Sequence, residues 1–303
     1  MECEAIIVGG GPAGLSAALQ LARWNRSVLV LDSGEGRSTH HQVNHNYLGF
    51  VDGIAALELR ELGRKQLSRY PHVSVLRQEV TSAVPVDGGF AVRAGEEPHT
   101  GRVLVLACGV VDEYPDFEDA GTYIGRSMFR CITCDGYECR GKRVVVVGDD
   151  DHAAGEALQL VSLTPHVTLL AESGKQRLSA QAAERLAAAG VRLVEDGCLE
   201  AHGEDGILTA VRTAAHGALP ADALFVVRAA RPRSELAVQL GAEVDPAGYV
   251  VVDTDQHTTV PSLLAAGDLT SPHSHQVSAA VHEGAQAASA ANYLLYPEGF
   301  RLS

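Results

Sequence analysis

Short apolar runs recur along the chain and are separated by segments rich in helix-forming residues. The runs at 5–8, 28–31, 103–107, 144–147 and 224–227 contain only apolar side chains. Strands covered on both faces have this continuous pattern, whereas strands with one face in water alternate. The pattern therefore predicts an α/β fold built on buried parallel sheets.

Weaker patterns fill the spaces between these runs. A strand is predicted at 167–170, and alternation around Asp87-Gly88-Gly89 predicts a hairpin over 79–94. The remaining predicted elements are helices at about 54–70, 155–163, 180–189 and 277–295, strands at 191–194, 249–252 and 263–266, and a second hairpin at about 203–206.

The first strand, at 5–8, leads directly into the glycine-rich turn Gly9-Gly10-Gly11-Pro12-Ala13-Gly14 and then into a helix. Glycines at the first, third and sixth positions let the backbone turn tightly and bring its N–H groups against a pyrophosphate. The next strand ends on Asp32, where a carboxylate can bind ribose hydroxyls. This context favours a dinucleotide site over a glycine-rich turn of another βαβ unit. The predicted site residues are Gly9, Gly11, Pro12, Ala13, Gly14 and Asp32.

The same layout begins again at Val144, displaced by 139 positions, so the chain contains an internal duplication. In the second copy the turn reads Gly148-Asp149-Asp150-Asp151. A side chain fills the third motif position, and three carboxylates are expected to face the place of a pyrophosphate. Like charges a few ångströms apart cost about 1 kcal/mol even in water. The second site is therefore predicted to be unfit for a dinucleotide.

Length, charge and hydropathy limit the class of protein. A chain of 303 residues predicts two domains. A net charge of -14 argues against nucleic acid, whose phosphates it would repel. No apolar run approaches the roughly 20 residues of a membrane helix, and no basic segment begins the chain. For these reasons we expect no membrane partner. The six cysteines are few for this length, so we expect a cytoplasmic protein.

The chemistry is concentrated in Cys131-Ile132-Thr133-Cys134-Asp135-Gly136, just before the strand at 144–147. Two cysteines at this spacing can close a small disulfide ring, and Asp135 can handle the proton. A zinc site with Cys139 lacks an obvious fourth ligand, and a purely structural disulfide is unusual in a reducing compartment. Redox chemistry is the favoured interpretation. Cys108 is expected to be a core residue, and no metal is predicted, including at His40, His41 and His45.

With these residues the chain resembles the low-molecular-weight thioredoxin reductases over nearly its whole length. The resemblance rests on the first glycine turn, Asn46-Tyr47-Leu48-Gly49-Phe50, the Cys131–Gly136 hexapeptide, Ala265-Ala266-Gly267-Asp268, and Gln276-Val277. It implies two Rossmann-like domains, the second inserted in the first. The FAD-binding domain would comprise residues 1–112 and 242–303, and residues 113–241 would carry the dithiol.

The resemblance also implies a role for each residue that matches the family's motifs. Cys134 would lie against the flavin, Cys131 would exchange with the substrate disulfide, and Asp135 would donate and accept the proton. Family members are homodimers, and the implied substrate is a thioredoxin-like protein or a small dithiol or disulfide. Beyond the first turn, the implied FAD contacts are Asn46, Val80, Gly109, Gly267, Asp268, Gln276 and Val277.

The chain departs from the NADPH-using members at both places that bind this nucleotide. Their second unit has a glycine-rich turn, where this chain has Asp149-Asp150, and a His-Arg-Arg triplet, where this chain has Ala171-Glu172-Ser173. Of the basic residues that those members use, this chain keeps only Arg177, at the place of a further family arginine. The pattern is similar to the branch that takes electrons from ferredoxin or another flavin, and to dithiol oxidases that use oxygen. We therefore predict a flavin-dependent disulfide oxidoreductase without NADPH. An NAD(P)H-dependent reductase and a flavin-bound redox sensor without turnover remain the alternatives.

Overall fold

The computed structural model describes residues 1–40, 42–96, 98–171, 178–273 and 275–300. The chain folds into two compact units. The first consists of Met1–Thr39, Ala55–Val111 and Ala230–Ser303, and the second of His40–Ile54 and Asp112–Ala229. Both ends of the chain thus belong to the first unit.

The elements follow the predicted alternation of strands and helices. The helices are α1 (Pro12–Arg23), α2 (Ala56–Leu67), α3 (Ala120–Tyr123), α4 (Ile132–Asp135), α5 (Asp151–Leu160), α6 (Ala180–Ala188), α7 (Glu235–Gln239) and α8 (Val277–Leu294). The strands are β1 (Glu2–Val8), β2 (Val28–Leu31), β3 (Val43–Asn44), β4 (Ile54–Ala55), β5 (Val73–Leu76), β6 (Val80–Val86), β7 (Gly89–Ala94), β8 (Pro98–Leu106), β9 (Val110–Val111), β10 (Met128–Phe129), β11 (Val144–Val147), β12 (Val167–Ala171), β13 (Arg192–Glu195), β14 (Cys198–Glu204), β15 (Ile207–Thr213), β16 (Gly217–Pro220), β17 (Ala223–Val226), β18 (Arg231–Pro232) and β19 (Leu263–Ala265).

The first unit is built on a seven-stranded sheet in the order β5-β2-β1-β8-β7-β6, with β19 also pairing with β8. Strands β5, β2, β1, β8 and β19 are parallel, and β6 and β7 are antiparallel. Alternate residues of β1 enter two different cores: Ile7 packs with α1 and α8, and Ile6 packs with the hairpin strands. Both faces are buried, as the continuous apolar runs predicted.

Small residues allow α1 and α8 to approach closely in this core. A Cβ atom on Gly284 of α8 would lie 2.1 Å from the carbonyl oxygen of Ala13. The Ser16 hydroxyl of α1 also donates to the Val281 carbonyl of α8 at 2.7 Å. The first turn of α1 is therefore held against a second helix.

The second unit has a five-stranded parallel sheet in the order β10-β17-β11-β12-β13. One core lies between this sheet and α5 and α6, and another lies between the sheet and the antiparallel strands β14-β15-β16. The fold is therefore α/β with two Rossmann-like units, as predicted. Within the described residues, no helix is both long and apolar enough to span a membrane.

Most predicted elements are present, with one exception. The strand predicted at 249–252 was wrong, because this segment makes only an isolated bridge between Val250 and Val244. Its backbone instead cross-links loops: the Val250 amide donates to Leu269 and the Val251 amide to Glu243.

The compact units also differ from the predicted domain limits. Residues 230–241 lie with the first unit, because β18 pairs with β9 and α7 packs against β6. Residues 40–54 lie with the second unit. The assignment of 1–112 with 242–303 to FAD binding, and of 113–241 to the dithiol, stays a prediction.

Candidate functional site

The parallel strands of the first unit end at one edge of its sheet, which gathers several predicted site residues. Gly9 follows β1, Asp32 follows β2, Gly109 lies beyond β8, and Gly267 follows β19. These residues therefore share the edge formed by the carboxyl ends of the parallel strands, which is where open α/β sheets bind ligands.

The first glycine turn has the geometry that a dinucleotide requires. Gly9 has φ +112°, and a Cβ atom there would lie 2.2 Å from the Ala107 carbonyl oxygen. A Cβ on Gly14 would lie 1.9 Å from the Gly9 carbonyl oxygen, so strand and helix meet at van der Waals distance only without side chains. Gly11 is the N-cap of α1 and adds no side chain to it, and a Cβ there would find Ser38 Oγ nearest, at 3.7 Å. Open space thus lies in front of the helix N-terminus, which suits a pyrophosphate.

Asp32 lies at the predicted edge but is already bonded within the protein. Its Oδ2 accepts hydrogen bonds from Arg60 at 2.8 Å and from Arg64 at 2.6 Å, and its Oδ1 accepts from the Gly34 amide at 3.3 Å. Burial alone would raise the pKa of Asp32, but the two guanidinium groups and the amides of Gly34 and Gly10 hold it below its usual value. Asp32 is 4% exposed and Arg60 3% exposed. Sequence reasoning missed these arginines.

A second turn of the same edge carries Gly267 and Asp268. Gly267 has φ +79°, and a Cβ atom there would lie 2.9 Å from the Cβ of Ala13. The Asp268 carboxylate pairs with Arg37 at 2.9 Å. Gly267 also donates its amide to Glu283 on α8 at 2.7 Å. The turn is therefore fixed between the glycine turn and α8.

The other predicted FAD contacts are distributed over several elements. Gln276 is the N-cap of α8, and Val277 is its first residue. Val80 begins β6, and Gly109 has φ +67° with open space around its Cβ position. Asn46 belongs to the second unit, where its side-chain amide donates to the Thr133 carbonyl at 3.5 Å.

The predicted dithiol forms a disulfide between Cys131 and Cys134 in the second unit. Cys131 is the N-cap of α4, and its Sγ accepts a hydrogen bond from the Cys134 amide at 3.1 Å. Gly136 closes this short turn, since a Cβ atom there would lie 2.6 Å from the Ile132 carbonyl oxygen. Both cysteines are partly exposed. The arrangement is a disulfide ring that solvent-borne thiols can reach.

Asp135 follows the disulfide and is 7% exposed. Burial, together with the negative charge of Glu138, raises the pKa of Asp135 to about 7. A carboxyl group with this pKa can both give and take a proton near neutral pH.

Two other cysteines, one in each unit, pack against hydrophobic cores. Cys139 is buried, and burial raises its pKa to about 11. Cys108, predicted to be a core residue, is partly buried against the core of the first unit, and burial raises its pKa to about 12. Within the described ranges, no three histidine, cysteine or acidic side chains gather as metal ligands; His41 lies outside these ranges.

Arg130, next to Cys131, was missed by sequence reasoning. Its Nε lies 3.1 Å from the Asp112 carboxylate, Nη1 donates to the Glu113 carbonyl at 2.6 Å, and Nη2 donates to the Arg228 carbonyl. One guanidinium thus ties the dithiol segment to the segments at which the chain enters and leaves this unit. These partners are distant in sequence, so no local pattern reveals the contact.

The second glycine turn is occupied by its own side chains. Asp150 is the N-cap of α5, and its Oδ1 accepts a hydrogen bond from the Ala153 amide at 3.0 Å. Asp151 was expected to face the nucleotide, but its carboxylate instead accepts from the Ser179 amide at 2.7 Å, which lowers its pKa. Glu172, Ser173 and Arg177 lie outside the described residues.

Comparison with known proteins gives the same class as this geometry. The chain matches the pyridine nucleotide-disulphide oxidoreductase family over residues 4–284 and belongs to it. It is 33% identical to a thioredoxin reductase of Treponema pallidum over 298 residues, covering 96% of both chains. It is 32% identical to a thioredoxin reductase of Mycolicibacterium smegmatis over 295 residues, covering 94% of both.

Among solved structures, an oxidoreductase from Agrobacterium tumefaciens is 33% identical, with a TM-score of 0.87 over 98% of this chain and 100% of that chain. These likenesses confirm the predicted resemblance at the level of the family. The protein is a flavin-dependent disulfide oxidoreductase of the thioredoxin reductase type, and its cofactor is FAD. The open first glycine turn fits that cofactor.

Proposed function

We propose that this enzyme passes electron pairs between FAD and the Cys131–Cys134 disulfide, and on to a substrate disulfide, without using NADPH. The observation that carries this proposal is the hydrogen bond from the Ala153 amide to the Asp150 carboxylate. In a working dinucleotide site, that helix N-terminus offers its amides to a pyrophosphate.

The argument against NADPH is electrostatic. The amide of Ala153, the third residue of α5, already donates to a carboxylate that complements the helix dipole. A pyrophosphate would have to displace this bond and would bring negative charge against Asp150 and its neighbours. A lost charge-assisted hydrogen bond costs about 1.5–3 kcal/mol, which weakens binding by roughly ten- to a hundredfold. Repulsion by the aspartates adds to this loss for both nucleotides, and NADH, which lacks the 2′-phosphate, should suffer less than NADPH.

The dithiol would reduce a substrate by two exchange steps. The Cys131 thiolate attacks one substrate sulfur, the substrate S–S bond breaks, and the departing sulfur leaves as a thiolate. Cys134 then attacks Cys131 in the mixed disulfide, which releases the second substrate thiolate and re-forms the Cys131–Cys134 disulfide. The enzyme dithiol loses two electrons and the substrate gains two, together with two protons. Bound FAD supplies or accepts this electron pair, depending on the direction.

The protein's own groups would prepare these steps. Asp135, with a pKa of about 7, takes a proton from a cysteine thiol and returns it to a departing thiolate. FAD would be held at the first glycine turn, by Gly267 and Asp268, and by the N-terminal residues of α8. The other predicted contacts are Asn46, Val80 and Gly109; they stay predictions, as do the homodimer and the cytoplasmic location.

The substrate is proposed as a thioredoxin-like protein or a small dithiol. The names of the relatives support the first, including a bifunctional thioredoxin reductase/thioredoxin of Mycobacterium leprae that is 31% identical over 94% of this chain and 64% of its own length. Without NADPH, the electron partner would be a ferredoxin, another flavin or oxygen.

The test is anaerobic stopped-flow mixing of the purified flavoprotein with NADPH, NADH or dithiothreitol. We expect the dithiol to bleach the flavin, and sub-millimolar NADPH to leave it oxidised for minutes. Bleaching by NADPH within seconds would overturn the proposal and favour an NADPH-dependent thioredoxin reductase. The two relatives compared above are thioredoxin reductases, which favours that second candidate.

A further inference from the structure

Glu283 of α8 turns its carboxylate towards the turn that follows β19. Its Oε2 accepts a hydrogen bond from the Gly267 amide at 2.7 Å and from the Thr270 hydroxyl at 3.2 Å. Glu283 is partly buried, and burial raises its pKa although these two donors oppose the shift. The side chain therefore holds the backbone of the turn directly.

The turn has a second anchor on its other side. Asp268 pairs with Arg37 at 2.9 Å, and the Cβ position of Gly267 lies 2.9 Å from the Cβ of Ala13. The Asp268 charge also acts on Glu283. Two carboxylates thus lie at this turn, and that of Asp268 is paired with Arg37.

We propose that Glu283 is a positioning residue of the FAD site: it fixes the Gly267–Asp268 turn through the Gly267 amide, and its negative charge lowers the midpoint potential of the bound flavin. This inference rests on the proposed function, which assigns the turn to FAD. Reduction adds electrons to the flavin, and a nearby carboxylate disfavours added negative charge.

Two substitutions separate the two effects. Glu283→Gln keeps a carbonyl oxygen that can accept from the Gly267 amide but removes the charge. Glu283→Ala removes both the acceptor and the charge. Glu243→Gln is the matched control, because Glu243 is an exposed carboxylate of the same unit.

The measurements are the FAD dissociation constant and the midpoint potential, the latter from anaerobic reductive titration against a reference dye. Glu283→Gln should bind FAD within threefold of the parent and favour reduced flavin at least tenfold more, which is about 30 mV for a two-electron couple. Glu283→Ala should weaken FAD binding at least tenfold. Glu243→Gln should change neither quantity.

If Glu283→Gln and Glu243→Gln had equal midpoint potentials, the charge effect would be overturned. If Glu283→Ala bound FAD as tightly as the parent protein, the positioning role would be overturned. Neither measurement involves a nicotinamide nucleotide. Failure of the proposed function would be seen separately, as NADPH bleaching of the parent protein or as a parent protein that binds no FAD.

Discussion

The two glycine turns begin α1 and α5 at equivalent places in two copies of one unit, but they present opposite surfaces. At the first turn, Gly11 leaves the helix N-terminus open. At the second, Asp150 occupies the equivalent N-cap and bonds to the Ala153 amide. The shared strand–turn–helix backbone therefore does not decide what is bound. One side chain at the N-cap can turn an anion site into a self-capped helix.

The charged residues around each turn extend this difference. Arg60 and Arg64 neutralise the acidic residue at the end of β2, and Arg37 neutralises Asp268. At the second turn, the carboxylates of Asp150 and Asp151 accept hydrogen bonds from backbone amides. The carboxylates of the first site are thus paired with arginines, whereas those of the second turn are held by backbone amides.

The most severe test transfers the second turn's side chain to the first. Gly11→Asp should place a carboxylate against the cofactor pyrophosphate and cap α1, so FAD affinity should fall by more than a hundredfold. Gly11→Ala, whose Cβ meets only Ser38 Oγ at 3.7 Å, should weaken FAD less. Flavin absorbance after purification and FAD titration measure both.

The comparison fails if Gly11→Asp retains as much flavin as Gly11→Ala. Circular dichroism of the two apoproteins controls for misfolding.

A buried aspartate in each unit should respond to pH in opposite directions. The pKa of Asp32 is held low by its arginines, so its contribution to stability is present above the unfolded pKa and is lost as pH falls through the folded value. The pKa of Asp135 is raised by burial from 3.8 to about 7, so the stability that its protonated form contributes is lost as pH rises between these values.

Asp135→Asn should therefore flatten the pH dependence of unfolding between about pH 4 and 7. At pH 8 the variant should be more stable than the parent by at most about 4 kcal/mol. Urea unfolding at several pH values measures this, with Asp116→Asn as a control for a change of net charge in the same unit. An unchanged pH slope in Asp135→Asn would contradict the raised pKa. Loss of dithiol exchange in the same variant would support its proton role.

The sequence reveals features whose cause is local. The glycine turns, the dithiol and the buried strands can be recognised because their constraints act over a few neighbouring residues. Arg130 and Glu283 could not be recognised, because each bonds to backbone atoms brought near by the fold. Asp151 shows the same limit: its carboxylate bonds to Ser179, 28 residues away, instead of facing a nucleotide.

The smallest expected effect concerns the cap itself. Asp150→Ala should lower the unfolding free energy of the second unit by about 1 kcal/mol, because the Ala153 amide loses its acceptor. Asp150→Asn should cost only a few tenths of a kcal/mol, since asparagine caps helices as well as aspartate does. Urea unfolding followed through Tyr123 and its neighbours, which lie in a core of this unit, measures both.

If the two variants were equally stable, the carboxylate would not be acting as the cap. An open α5 N-terminus would then be available to a phosphate, and the difference between the two turns would reduce to charge alone.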